Sequence, residues 1–153
     1  MALRQIVKLG DEILRQRSRE ITVFDDKLKE LVADMFETME KANGVGLAAP
    51  QVGLLKRVIV VCVDDKNKYA VINPVITKTS GTQCGAEGCL SVPERNGYVE
   101  RPKKVVVEGL DENGNPIKIK ADGLLAVAFC HEIDHLDGVL FIDKVIDDKK
   151  GKK

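Results

Sequence analysis

The chain has no tryptophan, few aromatic residues of any kind, only two histidines, and no excess of charge of either sign. Each shortage removes a class of function. With 24 Lys and Arg balanced by 24 Asp and Glu, there is no net field to gather nucleic acid or an anionic membrane surface. Two Tyr and four Phe supply too few π-faces for a platform on which single-stranded bases stack. Long apolar runs are missing too. The longest, Val58 to Val63 and Leu124 to Cys130, fall far short of a bilayer span. Met1 to Arg19 mixes acids and bases with short apolar pieces, unlike a signal peptide or a transit peptide. A soluble, cytoplasmic protein is the expectation. Cys62, Cys84, Cys89 and Cys130 are then thiols, ligands or core fillers rather than disulfide partners.

The 153 residues suffice for one domain with a real core. Asp11 to Arg17 reads as a short helix with Ile13 and Leu14 on its buried side. Asp25 and Asp26 are N-cap candidates for an amphipathic helix whose apolar residues, Leu28, Leu31, Val32, Met35, Phe36 and Met39, recur at three and four; Asn43-Gly44 stops it. Gly44 to Gln51 has no regular period. Arg57 to Val63 and Tyr69 to Ile76 are rich in β-branched residues and read as strands. Val105 to Leu110 and Ile117 to Ala121 flank a turn, Asp111 to Asn115, as a hairpin would. A helix from about Asp122 to Leu136 follows, then an apolar piece, Val139 to Ile142. The order predicts an α+β fold, mixed or antiparallel strands around a central helix, with one domain over residues 1–146 and a charged, fraying tail over 147–153.

Both histidines fall in His131-Glu132-Ile133-Asp134-His135. Residues four apart on a helix share a face, so the two rings can grip one ion. Glu132 sits beside them, placed to take a proton from a water that the ion activates. A catalytic site of this kind needs a third protein ligand and one open position. No other His exists, so Cys, Asp or Glu must supply it. Cys89, in Glu87-Gly88-Cys89-Leu90-Ser91, is one candidate and Cys84 its competitor, while Cys62 in a run of valines reads as a core filler. One and two turns before His131, Val127 and Leu124 share its face and suggest an apolar wall for an aliphatic side chain; Ala128 is expected in the core.

Three segments together resemble the signature motifs of peptide deformylases: Gly44-Val45-Gly46-Leu47-Ala48-Ala49-Pro50-Gln51, Glu87-Gly88-Cys89-Leu90-Ser91, and His131-Glu132-Ile133-Asp134-His135. They stand in the family's order and at about its spacing, and the likeness runs over nearly the whole chain. The resemblance implies removal of the formyl group from the N-terminal formylmethionine of new polypeptides. It implies Cys89, His131 and His135 as metal ligands and Glu132 as acid and base. The Gln51 side-chain amide and the Leu90 backbone N–H would hold the oxyanion. Val45, Gly46 and Gly88 would offer backbone groups to an extended peptide, and Leu124 and Val127 would wall the methionine pocket. Fe²⁺ is the metal it favours in the cell, with Zn²⁺, Ni²⁺ or Co²⁺ possible in purified protein. Cys130 stands where the family commonly has Gln and should point away from the metal. Gly10 stands where Pro is frequent. The tail after Ile146 is too short for the long helix some relatives carry, so a transient ribosome contact through it is in question.

Two other readings compete. A metallopeptidase with the same pentad would draw its third ligand from a downstream His or Glu, and none follows His135. A closed Cys₂His₂ structural zinc site would use Cys84 with Cys89 and both histidines, but leaves Glu132 without a purpose.

Overall fold

Val58 to Val61 shows how the chain is layered. All four side chains are buried, and they alternate between two different cores. Val58 and Val60 pack toward one helix, Ile59 and Val61 toward the other. A strand covered on both faces reads as an unbroken apolar run, which is why this stretch shows no polar alternation.

The structure, a computed structural model, describes residues 3–64 and 66–146; the tail expected at 147–153 lies outside the described residues. A five-stranded antiparallel sheet contains β1 (Gly46–Ala48), β2 (Val58–Val61), β3 (Tyr69–Ser80), β6 (Lys104–Leu110) and β7 (Pro116–Asp122), in that order. β4 (Gln83–Cys89) and β5 (Val92–Arg101) pair with each other as a second sheet of two strands, with one isolated bridge from Val99 to Val145. Helix α1 (Asp26–Lys41) covers one face of the large sheet through Leu28, Leu31, Val32, Met35 and Met39. Helix α2 (Leu124–Leu136) covers the other through Ala126, Phe129, Ile133 and Leu136.

Local chemistry explains the ends of these elements. Asp25 caps α1 by accepting the Leu28 N–H at 3.1 Å. Asn43, at φ 60°, and Gly44 close it, the Gly44 N–H returning to Met39 O at 2.9 Å. The expected start of α2 at Asp122 is two residues early. Asp122 still pairs with Lys104 in the sheet, and Gly123, at φ 62°, turns the chain before the helix begins.

Other expectations need similar adjustment. The first short helix is a 3₁₀ turn, Glu12–Arg15, that buries Leu14 and leaves Ile13 half-buried. The strand expected to end at Ile76 runs on to Ser80 across a register shift between Ile76 and Lys78. Gly44 to Gln51, without a period in the sequence, contains β1 and a 3₁₀ turn, Ala49–Val52. The β4–β5 hairpin was not visible beforehand, because β4 is mostly exposed and made of small or polar residues that carry no hydrophobic alternation.

Gly138 ends α2 in a left-handed conformation, φ 76°, where an added Cβ would lie 2.5 Å from the Arg15 carbonyl oxygen. Gly53 has φ 86° but open space around it. Gly53→Ala should therefore cost only backbone strain, about 1–2 kcal/mol. Gly138→Ala adds a collision with main chain, on the order of 1–3 kcal/mol more. Urea unfolding of both variants measures the difference; equal losses would show that the Arg15 segment yields freely.

Candidate metal centre

α2 is buried on most of its circumference, and that places His131 and His135 in the interior without a loop to hold them. Their Nε2 atoms stand 3.3 Å apart, and Cys89 Sγ lies 3.3 Å from His135 Nε2. All three ligand atoms fall within 4.8 Å of one another. Donors about 2.0–2.3 Å from a tetrahedral ion are separated by about 3.3–3.6 Å. The residues present fit such an ion in both chemistry and spacing.

Cys89 reaches the histidines because it ends β4, where a register shift after Glu87 turns the chain toward α2. Cys84, five residues earlier on the same strand, is exposed and is not part of the cluster. The closed four-ligand arrangement therefore does not form. Cys130 points into the core between α2 and the large sheet, as expected. Cys62 is half-buried: it packs against the core on the α1 side, as expected, and its thiol also donates to the Asp64 carbonyl.

A buried chain of ionic hydrogen bonds, unsignalled by any motif, lies behind the three candidate ligands. Glu87 Oε1 accepts from His131 Nδ1 at 3.0 Å. Arg101 grips both oxygens of Glu87, at 2.8 and 2.9 Å, and donates to Asp134 at 2.7 Å while only 3% exposed. A carboxylate only accepts, so this contact keeps the His131 proton on Nδ1 and turns the Nε2 lone pair toward Cys89 and His135. Burial works to raise the Glu87 carboxyl, but the hydrogen bonds from Arg101 and His131 outweigh it and hold the group at about 2. Glu87 stood in a quoted motif, yet nothing there distinguished it. Arg101 stood in none.

The titratable groups of this cluster stand far from their ordinary values. Burial pulls His131 down, but the Cys89 hydrogen bond, the charge of Glu132 and the Glu87 hydrogen bond raise it to about 10. Burial, then the positive charge of His131, pushes His135 well below its ordinary value. Glu132 is raised to about 7, mainly by burial, and its Oε1 has no hydrogen-bond partner among the described residues.

Gln51 is 1% exposed and its orientation is fixed. The Ala48 N–H donates to Oε1 at 2.9 Å, so the NH₂ group must face the other way. There Nε2 meets Ser91 Oγ at 3.1 Å and Cys89 Sγ at 3.5 Å. Gly46 lets β1 lie against Glu132, whose carboxylate would sit 2.6 Å from any Cβ added there. Gly88 likewise has the Asn96 side chain 2.8 Å from that position. A cavity of about 570 Å³ is lined by Val45, Gly46, Gln51, Gly88, Cys89 and Leu90 on its strand and turn side, and by Leu124, Val127, His131 and Glu132 from α2. Ala128 both lines this cavity and packs in the core. Every expected site residue except His135 thus reaches one cavity, and His135 touches it through the other two ligands.

Comparison with known proteins places this arrangement. The sequence profile of the polypeptide deformylase family matches residues 3–151. The chain is 54% identical to the peptide deformylase of Finegoldia magna over 148 residues, covering 95% of this chain and 91% of that protein. It is 56% identical to the peptide deformylase of Acetivibrio thermocellus over 146 residues, 95% and 85% of the two chains. The crystal structure of peptide deformylase from Thermotoga maritima matches with a TM-score of 0.92 and 41% identity, over 95% of this chain and 99% of that one. A peptide deformylase from Synechococcus elongatus in complex with actinonin matches with a TM-score of 0.91 and 43% identity, over 96% and 81%.

The two cysteines of β4 test the three-ligand geometry. Cys89→Ala should lose bound metal, whereas Cys84→Ala should keep about one ion per chain by elemental analysis. A metal-free Cys84→Ala protein would bring back the four-ligand arrangement and remove the open site.

Proposed function

The chain belongs to the polypeptide deformylase family, and on that premise we propose how its own residues carry the reaction. It is an enzyme that removes the formyl group from the N-terminal formylmethionine of newly made polypeptides. The observation that carries the assignment of residues is the meeting of Cys89, His131 and His135 within 4.8 Å, beside the buried Glu132, in one cavity.

In this reading Cys89, His131 and His135 hold one divalent ion. When bound, the ion supplies Lewis acidity, lowering the pKa of water and favouring negative charge on the formyl oxygen. Glu132 accepts the proton of the attacking water and returns it to the departing amine nitrogen. A carboxyl raised to about 7 suits both halves of that task. The C–N bond breaks, and formate and a free N-terminal amine leave. Gln51 Nε2, already aimed toward Cys89, and the Leu90 backbone N–H receive the formyl oxygen as it gains charge. Val45, Gly46 and Gly88 offer main-chain groups to the extended peptide. Leu124 and Val127 wall the pocket for the methionine side chain.

We assign Fe²⁺ as the ion in the cell. The same thiolate and imidazole donors also accept Zn²⁺, Ni²⁺ or Co²⁺, so analysis of anaerobically purified protein decides the matter. No helix among the described residues is long and apolar enough to cross a membrane. The cytoplasm, where formylated nascent chains arise, is the proposed location, and a transient ribosome contact belongs to the same reading. Residues 1–146 are the proposed catalytic domain.

Glu132→Gln should keep its metal and lose formate release by about 10²–10⁴-fold, since the ligands remain and the base is gone. Near-normal turnover would end the general-base assignment. Gln51→Ala should lower kcat by about 10²–10³-fold with a smaller change in KM. A raised KM at unchanged kcat would make Gln51 a ground-state binding residue instead.

A further inference from the structure

Ser91 closes the motif Glu87-Gly88-Cys89-Leu90-Ser91, and no step of the proposed reaction uses it. Its side chain is nevertheless enclosed, at 0% exposure. Buried hydroxyls are kept where they have partners, and the partner here is Gln51, whose Nε2 donates to Ser91 Oγ at 3.1 Å. The Gln51 amide offers two N–H donors and one acceptor oxygen. The Ala48 N–H takes the oxygen at 2.9 Å, and Ser91 takes one proton. The second N–H lies on the side of Cys89 Sγ, which is 3.5 Å from Nε2. Both ends of a planar group are thus held, and the remaining donor has one direction left.

The main chain supports the same contact. Leu90 and Ser91 form the two-residue turn of the β4–β5 hairpin, between the paired Cys89 and Val92. Gln51 stands 40 residues away, in the 3₁₀ turn that follows β1 in the other sheet. One short segment ties the two turns together. The Val7 N–H donates to Gln51 O at 2.7 Å, and the Leu9 N–H to Ser91 O at 2.8 Å. This tie fixes how far apart the turns stand. The side-chain bond then fixes how the amide is tilted between them.

We propose that Ser91 is a positioning residue whose hydroxyl aims the Gln51 amide relative to the Leu90 N–H. The proposal rests on the deformylase reading, in which those two donors receive the formyl oxygen. Leu90 and Ser91 are neighbours in one turn, so a bond from Gln51 to Ser91 registers one donor against the other. Donors of this kind act by being aimed before charge develops. Without the hydroxyl, Gln51 keeps only its bond to Ala48, and its free end swings between rotamers.

The test is a double-mutant cycle on the metal-loaded enzyme, with formyl-Met-Ala-Ala as substrate. Ser91→Ala removes the acceptor with little change in volume. It should lower kcat by about 10–100-fold, move KM by less than about twofold, and keep about one ion per chain. In a Gln51→Ala background the same substitution should change kcat by less than about twofold, because no amide is left to aim. A readout independent of turnover is the solvent exchange of the Gln51 side-chain NH₂ protons, assigned by their loss in Gln51→Ala; Ser91→Ala should speed it. Equal losses in both backgrounds, a loss carried by KM, or unchanged NH₂ exchange overturns the role of Ser91. So does near-normal turnover of either single variant. Wild-type enzyme that releases no formate removes the deformylase reading and this role with it, whereas an additive cycle in an active enzyme removes only the role of Ser91.

Discussion

The metal centre depends on one buried guanidinium. Arg101, from β5, is held between Glu87 of β4 and Asp134 of α2, and Glu87 in turn orients His131. Its planar fork grips both oxygens of Glu87 and still has a donor left for Asp134, a geometry an ammonium does not match. Burying such a group is costly unless every charge is matched, and removing one partner of a buried pair typically costs about 3–5 kcal/mol. The hairpin therefore cannot slide along the helix by a residue without leaving charge orphaned in the interior. The mutual positions of Cys89 and the two histidines follow from that restriction.

The reaction centre was the most legible part of the sequence. A helix fixes the geometry of residues four apart, so His131 and His135 could be placed on one face from spacing alone. The lack of a third histidine left Cys, Asp and Glu open for the remaining ligand, and only the family resemblance pointed to Cys89. Choosing Cys89 over Cys84 needed more, because the two differ only in where β4 puts them: one exposed and away from the cluster, the other turned inward by a register shift. Spacing in a strand of small and polar residues carries no such information. Arg101 was illegible for a related reason. Its partners lie 14 and 33 residues away, and only the fold brings them within hydrogen-bond reach.

The same contrast holds for the scaffold. α1 was readable because its apolar residues repeat with the helix and an aspartate caps it. β2 was readable because burial on both faces leaves only β-branched residues acceptable. β1 was not: it is three residues long and takes its place from pairing with β2 and from the close approach of Gly46 to Glu132. Short segments of this sort are specified by what packs against them.

The β4–β5 hairpin stands apart from the main sheet, with a small core of its own in Val92, Val99 and Phe141. Elements with so little buried apolar area open more often than the body of a protein does. Cys89 travels with the hairpin, whereas His131 and His135 stay on the helix, and Cys89 and His135 are 46 residues apart in the chain. In the proposed ligand set, release of Cys89 from the ion and opening of the hairpin are then a single event, one that also breaks the Arg101–Asp134 and Glu87–His131 contacts. The residence time of the ion is accordingly a property of polypeptide motion, and the exchange lifetime of the metal becomes a clock for how often this two-stranded sheet lifts from the helix.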